Sequence, residues 1–155
     1  MNKLVKSQKS KAKSQTLNQK MNCKGKLIDL SIPKVMGILN ITPDSFFSGS
    51  RFTPNSNQIT DQVGKMIANG AVFIDIGGYS SRPGAQDISI DEETDRLVPV
   101  VESLVKAFPE AIISIDTFRA KVARETIAAG AHIINDIAAG NLDGQMFETV
   151  ASWYC

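Results

Sequence analysis

Four short apolar segments, each followed by a polar loop and then by a helix-like segment, constrain the fold of this chain most strongly. The four segments cover residues 35–39, 72–76, 112–116 and 132–136. After each of them, apolar residues recur at helical spacing, over roughly 59–70, 91–108, 119–129 and 143–154. Strands that are apolar on both faces and alternate with helices are typical of a parallel sheet with both faces covered. The sequence therefore predicts an α/β protein built from about four βα units.

Two α/β architectures accommodate four such units. A small doubly wound sheet needs no further strands, whereas a closed (β/α)8 barrel needs eight and typically about 250 residues. The chain has 155 residues, which is enough for one domain but only for part of a barrel. The periodicity leaves both architectures open, so the residues at the strand ends have to decide between them.

The first 22 residues are predicted to be a disordered, basic leader, and residues 23–155 to be the folded domain. Residues 1–26 contain eight lysines and neither aspartate nor glutamate. So polar a segment buries too little apolar surface to offset the entropy of ordering the chain. It lacks the apolar stretch of a secretory signal, and it has no arginine, which transit peptides favour. We therefore interpret these residues as a plain flexible leader. The two alternatives are a tether to nucleic acid or to a surface, and a targeting segment.

Composition limits the classes of partner and of chemistry. The net charge of +1 argues against nucleic acid or a membrane as the main partner, and no apolar stretch is long enough to span a bilayer. The two cysteines, Cys23 and Cys155, give neither a disulfide framework nor the spacing of a metal site, so we expect a cytoplasmic protein. The only histidine, His132, lies at the start of a strand and is expected to be structural, which argues against a catalytic triad.

Polar residues follow every predicted strand at its carboxyl end. They are, strand by strand, Asn40, then Gly77 and Gly78, then Asp116 and Thr117, then Asn135 and Asp136. In parallel α/β proteins the carboxyl ends of the strands form the ligand-binding rim. Any one of these residues, such as Thr117, is more simply explained as a helix cap or part of a turn. Four consecutive strands that end this way indicate a binding site.

The chemistry of this rim suits a flat, aminated heterocycle that carries phosphate. Asp116 and Asn135 offer a carboxylate and an amide on adjacent strands, and together these groups accept from and donate to a ring edge. Asn40 offers one neutral oxygen for Mg2+, which is insufficient alone. Ser81 and Arg82, in the loop after the second strand, suit a phosphate or a carboxylate.

Three long segments carry a resemblance to a known family. Residues 35–46, VMGILNITPDSF, and 75–85, DIGGYSSRPGA, resemble its first two signatures, and residues 114–140 resemble its third and fourth strand segments. The family is that of the dihydropteroate synthases, whose fold is a (β/α)8 TIM barrel. The resemblance covers roughly residues 23–155. It implies the N-terminal half of such a barrel, a partial barrel of about four βα units.

The resemblance implies a transferase of tetrahydrofolate biosynthesis. Such an enzyme condenses 6-hydroxymethyl-7,8-dihydropterin pyrophosphate with p-aminobenzoate to give 7,8-dihydropteroate and pyrophosphate. Ionisation at the pterin methylene carbon, helped by Mg2+, would precede attack by the aromatic amine. The full-length form is expected to be a cytoplasmic homodimer and a sulfonamide target. Its partners are expected to be small-molecule substrates, with no nucleic acid and no membrane.

The resemblance also assigns roles to residues at the matching positions. Asn40 would be a catalytic residue that helps to hold Mg2+ and the pyrophosphate. Asp116 would be a catalytic residue that binds the pterin and stabilises its developing positive charge. Asn135 would bind the pterin, and Ser81 would contact the pterin substrate at a position where the family usually has threonine. The two mobile loops would form the p-aminobenzoate site through Asp44, Phe46, Arg82 and Pro83.

Departures from the family pattern and two rival functions complete the expectations. Tyr79 stands where the family usually has glutamate, and residues 48–50 replace an Asp-Gly-Gly run. The family's later half supplies a second pterin-binding aspartate, a lysine and an Arg/His pair, so the chain is expected to be inactive alone. One rival is a pterin-dependent methyltransferase-type barrel, which shares Asp116 and Asn135 but does not need the two loop sequences. The other is an inactive binding fragment.

Overall fold

The computed structural model describes residues 19–41, 56–80 and 87–154, and these ranges contain six strands and four helices. The chain begins with a hairpin of β1 (Lys20–Cys23) and β2 (Lys26–Asp29). The elements that follow are, in chain order, β3 (Val35–Asn40), α1 (Ser56–Ala68), β4 (Ala71–Gly77), α2 (Ile90–Ala107), β5 (Ile112–Asp116), α3 (Ala120–Ala128), β6 (Ile133–Asn135) and α4 (Met146–Tyr154). The four strands and four helices predicted from the sequence are all present, with ends that differ by a few residues.

The larger sheet is parallel throughout, with the strand order β3-β4-β5-β6. A helix leads from each strand to the next and α4 follows the last strand, so these elements make four βα units. Strands that are sequential in the chain are also neighbours in the sheet. A doubly wound sheet would instead reverse its strand order at a switch point. The arrangement is therefore that of one half of a (β/α)8 barrel.

One face of the parallel sheet packs against the helices and forms the main core. Leu39, Ile76 and Ile115 are in register on this face, and all three are fully buried. From α2, Leu97 and Leu104 join the same core and are also fully buried. Alternate residues of each strand thus meet the apolar stripe of the helix, as the predicted strand and helix periodicities require.

The opposite face, here called the inner face, carries two rows of in-register residues. The upper row lies at the carboxyl ends of the strands and consists of Asn40, Gly77, Asp116 and Asn135. The lower row lies two residues earlier in each strand and consists of Ile38, Asp75, Ser114 and Ile133. Because side chains alternate between the faces of a strand, residues two apart share a face, and the lower row lies directly beneath the upper row.

Strand β3 is less buried than its apolar sequence predicted. Leu39 is fully buried, but Val35, Met36 and Ile38 are 58%, 41% and 65% exposed. The strand lies at one edge of the parallel sheet, and the described residues do not cover its inner face. The prediction of burial on both faces was therefore wrong for β3, because an apolar strand is buried only where a partner covers it.

The N-terminal hairpin packs against the amino end of the inner face. Cys23 and Ile28 are buried against Phe73 and Ile112, which lie near the amino ends of β4 and β5. These four residues form a second, smaller apolar cluster below the lower row. The amino end of the sheet is therefore occupied by packed apolar side chains, and the polar residues are concentrated at the carboxyl end.

The same hairpin includes residues that the sequence assigned to a disordered leader. Lys20, Met21 and Asn22 belong to β1, whereas residues 1–18 lie outside the described ranges. The turn has a positive φ at both Lys24 (48°) and Gly25 (83°), as a two-residue type I′ turn requires. A Lys-Gly turn between two four-residue strands is a short signal, and the high lysine content of the surrounding segment obscured it.

Helix α2 begins at a side-chain cap. The Ser89 hydroxyl accepts a hydrogen bond from the Glu92 N–H, and three acids occupy the first turn, where the helix dipole favours negative charge. Pro99 lies inside α2 on its exposed side, so it neither ends the helix nor marks its first turn. Among the helices of the described ranges, none is both long enough and apolar enough to cross a membrane.

Asp143 caps two helices at once. Its Oδ2 accepts a hydrogen bond of 2.7 Å from the Ala120 N–H, at the start of α3. Its Oδ1 accepts one of 3.0 Å from the Gln145 N–H, just before α4. These two hydrogen bonds lower the pKa of Asp143 because they favour its ionised form. A single carboxylate therefore fixes the last two βα units relative to each other.

Candidate functional site

Three polar side chains of the upper row lie at the carboxyl ends of neighbouring strands. Asn40 ends β3, Asp116 ends β5 and Asn135 ends β6, and all three are exposed at the rim. Gly77, which ends β4, leaves a gap in the row. A Cβ added there would lie 3.3 Å from Asn40 Oδ1 and 3.7 Å from Asp116 Oδ2. The glycine therefore leaves a recess bordered by two side-chain oxygens, in which a ligand atom can be held.

Asp116 lies in negatively charged surroundings. Partial burial raises the pKa of its carboxyl, and the negative charges of Asp75 and Asp136 raise it further. Such a carboxylate is stabilised by a ligand that donates N–H groups or carries positive charge. The electrostatics at the end of β5 therefore favour a cationic or N–H-rich ligand edge over an anionic one.

Asp75, in the lower row, contacts the side chain of Asn135 from below. Its Oδ2 accepts a hydrogen bond of 3.0 Å from Asn135 Nδ2. Asp75 is 5% exposed, and its Oδ1 has no hydrogen-bond partner within the part of the chain that is described. Asp75 was not among the site residues predicted from the sequence. The signal that could have found it is an acid in the middle of an apolar strand, because buried carboxylates are rare and need a reason.

Thr117 and Arg119 follow β5 and bind a buried glutamate. Glu93 in α2 is fully buried, and it accepts hydrogen bonds of 2.8 Å from both Thr117 Oγ1 and Arg119 Nη1. Burial raises the pKa of Glu93, while the Thr117 hydrogen bond and the Arg119 charge act in the opposite direction. Thr117 Oγ1 also accepts a hydrogen bond of 3.3 Å from the Arg119 N–H, which closes a turn as expected, and its bond to Glu93 additionally joins the end of β5 to α2.

The Arg119 guanidinium also contacts two aromatic rings and a second acid. Its Cζ lies 5.0 Å from the ring centre of Tyr79 and 5.2 Å from that of Phe118, within the range of cation–π attraction. The two rings meet edge to face at 5.3 Å. Arg119 Nη2 lies 3.3 Å from Asp87 Oδ1. Tyr79 stands where the family usually has glutamate. Tyr79 contacts the Arg119 cation through the face of its ring, whereas a glutamate would contact that cation through its charged carboxylate.

These features can be compared with known proteins. The sequence profile of the pterin-binding enzymes matches residues 36–155, which include all of the parallel strands except the first residue of β3. The chain belongs to this family. Within the pterin-binding enzymes, it is 45% identical over 129 residues to the dihydropteroate synthase of Streptococcus pyogenes serotype M1. That alignment covers 83% of the chain and 48% of the streptococcal protein.

Two solved structures of pterin-binding enzymes have the same fold. The Yersinia pestis dihydropteroate synthase in complex with a sulfonamide drug is 45% identical, with a TM-score of 0.74, over 86% of this chain and 47% of that one. The Xanthomonas albilineans dihydropteroate synthase with 4-aminobenzoic acid is 37% identical, with a TM-score of 0.76, over 86% of this chain and 49% of that one. The chain spans about half the length of these relatives, and the predicted fold class, a partial (β/α)8 barrel, is confirmed.

Part of the predicted substrate-binding site lies outside the described residues. This part consists of Asp44, Phe46, Ser81, Arg82 and Pro83. Of the residues predicted to bind substrate or metal, the structure brings together Asn40, Asp116 and Asn135. It adds Gly77 and Asp75, which shape the recess and hold Asn135. The described part of the site thus consists of the carboxyl ends of the four parallel strands and Asp75 beneath them.

Within the described part of the chain, a metal ion would find few ligands at the rim. Asn40 provides one neutral oxygen, which borders the recess over Gly77. No group of three or more His, Cys, Asp or Glu side chains that could hold a metal ion occurs within residues 19–41, 56–80 and 87–154. Mg2+ often takes several of its oxygens from substrate phosphates and water. Asn40 therefore fits a metal site that the substrate completes.

Two further residues have structural roles, Asp136 after β6 and His132 before it. Asp136 accepts hydrogen bonds of 2.8 Å from the Ala138 and Gly140 N–H groups, which closes the turn after β6. His132 Nδ1 accepts a hydrogen bond of 3.2 Å from the Ile113 N–H, and burial lowers the pKa of this imidazole. The expectation that His132 is structural agrees with this contact, because its ring supports the backbone between β5 and β6.

Proposed function

We propose that this chain forms the first, pterin-binding half of a dihydropteroate synthase. The complete enzyme joins 6-hydroxymethyl-7,8-dihydropterin pyrophosphate to p-aminobenzoate and releases 7,8-dihydropteroate and pyrophosphate, in tetrahydrofolate biosynthesis. The observation that carries the proposal is the in-register rim of Asn40, Asp116 and Asn135, in a chain 45% identical to a dihydropteroate synthase. The enzyme class is that of transferases.

The pterin ring is assigned to the upper row beside β5 and β6. Asp116 accepts hydrogen bonds from ring N–H groups, and the acidic surroundings that raise its pKa strengthen its preference for them. Asn135 both donates and accepts, so it binds a ring nitrogen and an amino group. Beneath the upper row, Asp75 is buried and accepts a hydrogen bond from the Asn135 amide.

The chemical step exchanges the C–O bond between the pterin methylene and the pyrophosphate for a C–N bond. As the pyrophosphate leaves with the bonding electrons, positive charge spreads from the methylene carbon into the pterin ring. The Asp116 carboxylate would stabilise that charge. The amine of p-aminobenzoate then attacks the carbon and loses one proton. Asp116 must be ionised for this role, so activity should fall as pH drops through its raised pKa.

Asn40 is assigned to the pyrophosphate side of the site. Its carboxamide oxygen would hold Mg2+ together with pyrophosphate oxygens and water, and the bound ion would neutralise charge on the leaving group. The Asn40 oxygen borders the recess over Gly77, which Asp116 also borders. Removal of Mg2+ should therefore weaken binding of the pyrophosphate substrate more than binding of the pterin alcohol.

The second substrate is assigned to the two loops that follow β3 and β4. Asp44, Phe46, Arg82 and Pro83 would form the site for p-aminobenzoate and for sulfonamides, and Ser81 would contact the pterin substrate. Two relatives support this assignment, since one was solved with 4-aminobenzoic acid and another in complex with a sulfonamide drug.

The conditions under which the chain works are also part of the proposal. Dihydropteroate formation would need the part of the barrel that the streptococcal relative has beyond the matched segment. The full-length form would be a homodimer in the cytoplasm, which light scattering on the full-length protein would test. The 155-residue chain alone would bind the pterin and would not turn over.

Isothermal titration of the folded 155-residue chain with 6-hydroxymethyl-7,8-dihydropterin pyrophosphate, with and without Mg2+, tests the assignment. Asp116→Ala should weaken binding by about tenfold or more, because it removes a charged hydrogen-bond acceptor. Asp61→Ala, which removes an exposed acid on α1, is the matched control and should bind like wild type. Equal affinity of the two variants would refute the role of Asp116.

The same titration separates the rival functions. A pterin-dependent methyltransferase-type barrel would prefer a methylated tetrahydrofolate to the pterin pyrophosphate, and its affinity would not depend on Mg2+. A mere fragment, which serves at most as a non-catalytic binding or assembly module, would not bind the pterin pyrophosphate. Robust dihydropteroate formation by the 155-residue chain would overturn the proposal that it is inactive alone, while supporting the assigned reaction.

A further inference from the structure

We propose that Asp75 is a positioning residue for the pterin: it fixes which way the Asn135 side-chain amide faces. This inference rests on the proposed function and deepens it, because it names the group that sets the hydrogen-bonding pattern of the site. The observation behind it is the hydrogen bond of 3.0 Å from Asn135 Nδ2 to Asp75 Oδ2.

The chemistry of a carboxylate determines the orientation of the amide. An ionised carboxylate only accepts hydrogen bonds, whereas an amide has a donating nitrogen and an accepting oxygen. Asn135 must therefore turn its nitrogen toward Asp75, because the flipped amide would place its oxygen against the negative charge. The Asn135 oxygen and one remaining N–H are then left for a ligand.

The orientation matters because the pterin edge is itself directional. An amino group attached next to a ring nitrogen presents a donor beside an acceptor. The Asn135 oxygen accepts from the amino group, and the remaining N–H donates to the ring nitrogen. A flipped amide would oppose donor to donor and acceptor to acceptor, and would lose both hydrogen bonds.

Burial argues that Asp75 is present for function rather than for stability. The residue is 5% exposed, and only its Oδ2 has a hydrogen-bond partner among the described residues. A buried carboxylate with one hydrogen bond destabilises the fold relative to a neutral side chain of the same size. Asp75→Asn should therefore leave the stability unchanged or raise it, whereas a purely structural role predicts a loss.

Asp75→Asn removes the directional constraint at nearly constant size. It also removes a negative charge that contributes to the raised pKa of Asp116, so the titrations are made at a pH above that raised pKa. An asparagine at position 75 can accept from or donate to the Asn135 amide, so both orientations of Asn135 become possible. If both are equally populated, the pterin affinity falls about twofold, and by more if the side chain also leaves its rotamer. Ser114→Ala is the matched control, because Ser114 is buried beside Asp75 in the lower row and its hydroxyl has no hydrogen-bond partner among the described residues.

The test uses the 155-residue chain and 6-hydroxymethyl-7,8-dihydropterin without pyrophosphate. Titration calorimetry measures a double-mutant cycle, which consists of wild type, Asp75→Asn, Asn135→Ala and the double variant. We expect Asp75→Asn to weaken binding by between about twofold and tenfold in the wild-type background and to have no effect in the Asn135→Ala background. An equal loss in both backgrounds would mean that Asp75 acts on the ligand directly and would overturn the inference.

A second readout does not depend on ligand binding. In the NMR spectrum of the free chain, the Asn135 proton bonded to the carboxylate should resonate downfield in wild type and in Ser114→Ala, and should return toward the usual amide position in Asp75→Asn. If wild type fails to bind the pterin, the proposed function fails, and this signal then decides the orienting role alone. An Asn135 signal unchanged by Asp75→Asn would overturn it.

Discussion

Glu93 and Arg119 form an ion pair beside the carboxyl end of the sheet, with 2.8 Å between Glu93 Oε2 and Arg119 Nη1. The Glu93 side chain is 1% exposed and that of Arg119 13%, so solvent screens the pair poorly. The same guanidinium lies over the ring of Tyr79, which follows β4. Arg119 therefore ties α2 and the segment after β4 to the segment after β5, at the border of the candidate site.

Arg119→Met should destabilise the folded chain by on the order of 3 kcal/mol, because it leaves the buried Glu93 carboxylate without its cation. Urea unfolding near neutral pH measures this change. Arg124→Met, at an exposed position on α3, is the matched control and should change the free energy of unfolding much less. A loss in Arg119→Met no greater than that in the control would contradict the assigned importance of the ion pair.

The pH dependence of stability should carry a contribution from Glu93. Its pKa is raised in the folded chain, so its favourable contribution is complete below the usual glutamate pKa of about 4.3. That contribution is lost as pH rises through the raised folded pKa. Glu93→Gln should therefore flatten the stability curve on the mildly acidic side, as measured by urea unfolding at several pH values.

Asp116→Asn extends this measurement. Asp116 also has a raised pKa, so its contribution to stability has the same sign. The double variant should be flatter than either single variant. Curves for wild type and Glu93→Gln that run parallel from pH about 4 to about 8 would show that Glu93 does not titrate differently on folding.

Substitution by alanine should weaken ligand binding at Gly77 and lower stability at Gly78. A Cβ at Gly77 meets only Asn40 Oδ1 and Asp116 atoms at 3.3 Å or more, so Gly77→Ala should fold but fill the recess and weaken ligand binding. A Cβ at Gly78 would lie 2.9 Å from Leu97 Cγ, inside the main core. Gly78→Ala should therefore destabilise by about 1 to 3 kcal/mol, as overpacking does.

Thermal unfolding and titration with the pterin pyrophosphate, performed on both variants, separate these effects. Each glycine variant serves as the control for the other, since the two positions are adjacent in the chain. Full ligand affinity in Gly77→Ala would show that the recess is not part of the binding site.

Asp143→Ala should destabilise by roughly 2 kcal/mol, the usual effect of removing a helix cap, because it removes the hydrogen bonds to Ala120 and Gln145. The pKa of Asp143 is lowered by these hydrogen bonds, so its contribution is present above the usual aspartate pKa of about 3.9 and is lost as pH falls through the lowered folded pKa. Urea unfolding should show the difference from wild type shrinking at acidic pH. Asp95→Ala, at an exposed position on α2, should show little difference at any pH.

Much of the fold could be predicted from the sequence because its signals are local and repeated. The alternation of apolar strand and amphipathic helix gave the four βα units, and the polar residues at the strand ends gave Asn40, Asp116 and Asn135. The hairpin of β1 and β2 was missed, because its eight strand residues are too few for a reliable pattern and lie beside a lysine-rich segment. Its packing against Phe73 and Ile112 is a tertiary contact that no local pattern contains.

The role of the lower row was also not predicted from the sequence. The importance of Asp75 follows from its register with the neighbouring strands and from its hydrogen bond to Asn135, sixty residues away. Thr117 shows the reverse case, since it lies at a strand end yet binds the buried Glu93. Proximity to a strand end predicts that a residue is near the rim, but the direction of its side chain depends on which face of the sheet it occupies.

The inner face changes character along the strands, from the apolar cluster around Phe73 and Ile112, through the buried Asp75 and Ser114, to Asp116 at the rim. Each step is two residues, so successive levels of the inner face of β4 and β5 serve first stability, then orientation and then contact with a ligand. Selection can therefore exchange the outermost residue, and with it the ligand preference, while the innermost residue keeps the sheet intact. A strand of this kind can acquire a new specificity by one substitution without first acquiring a new fold.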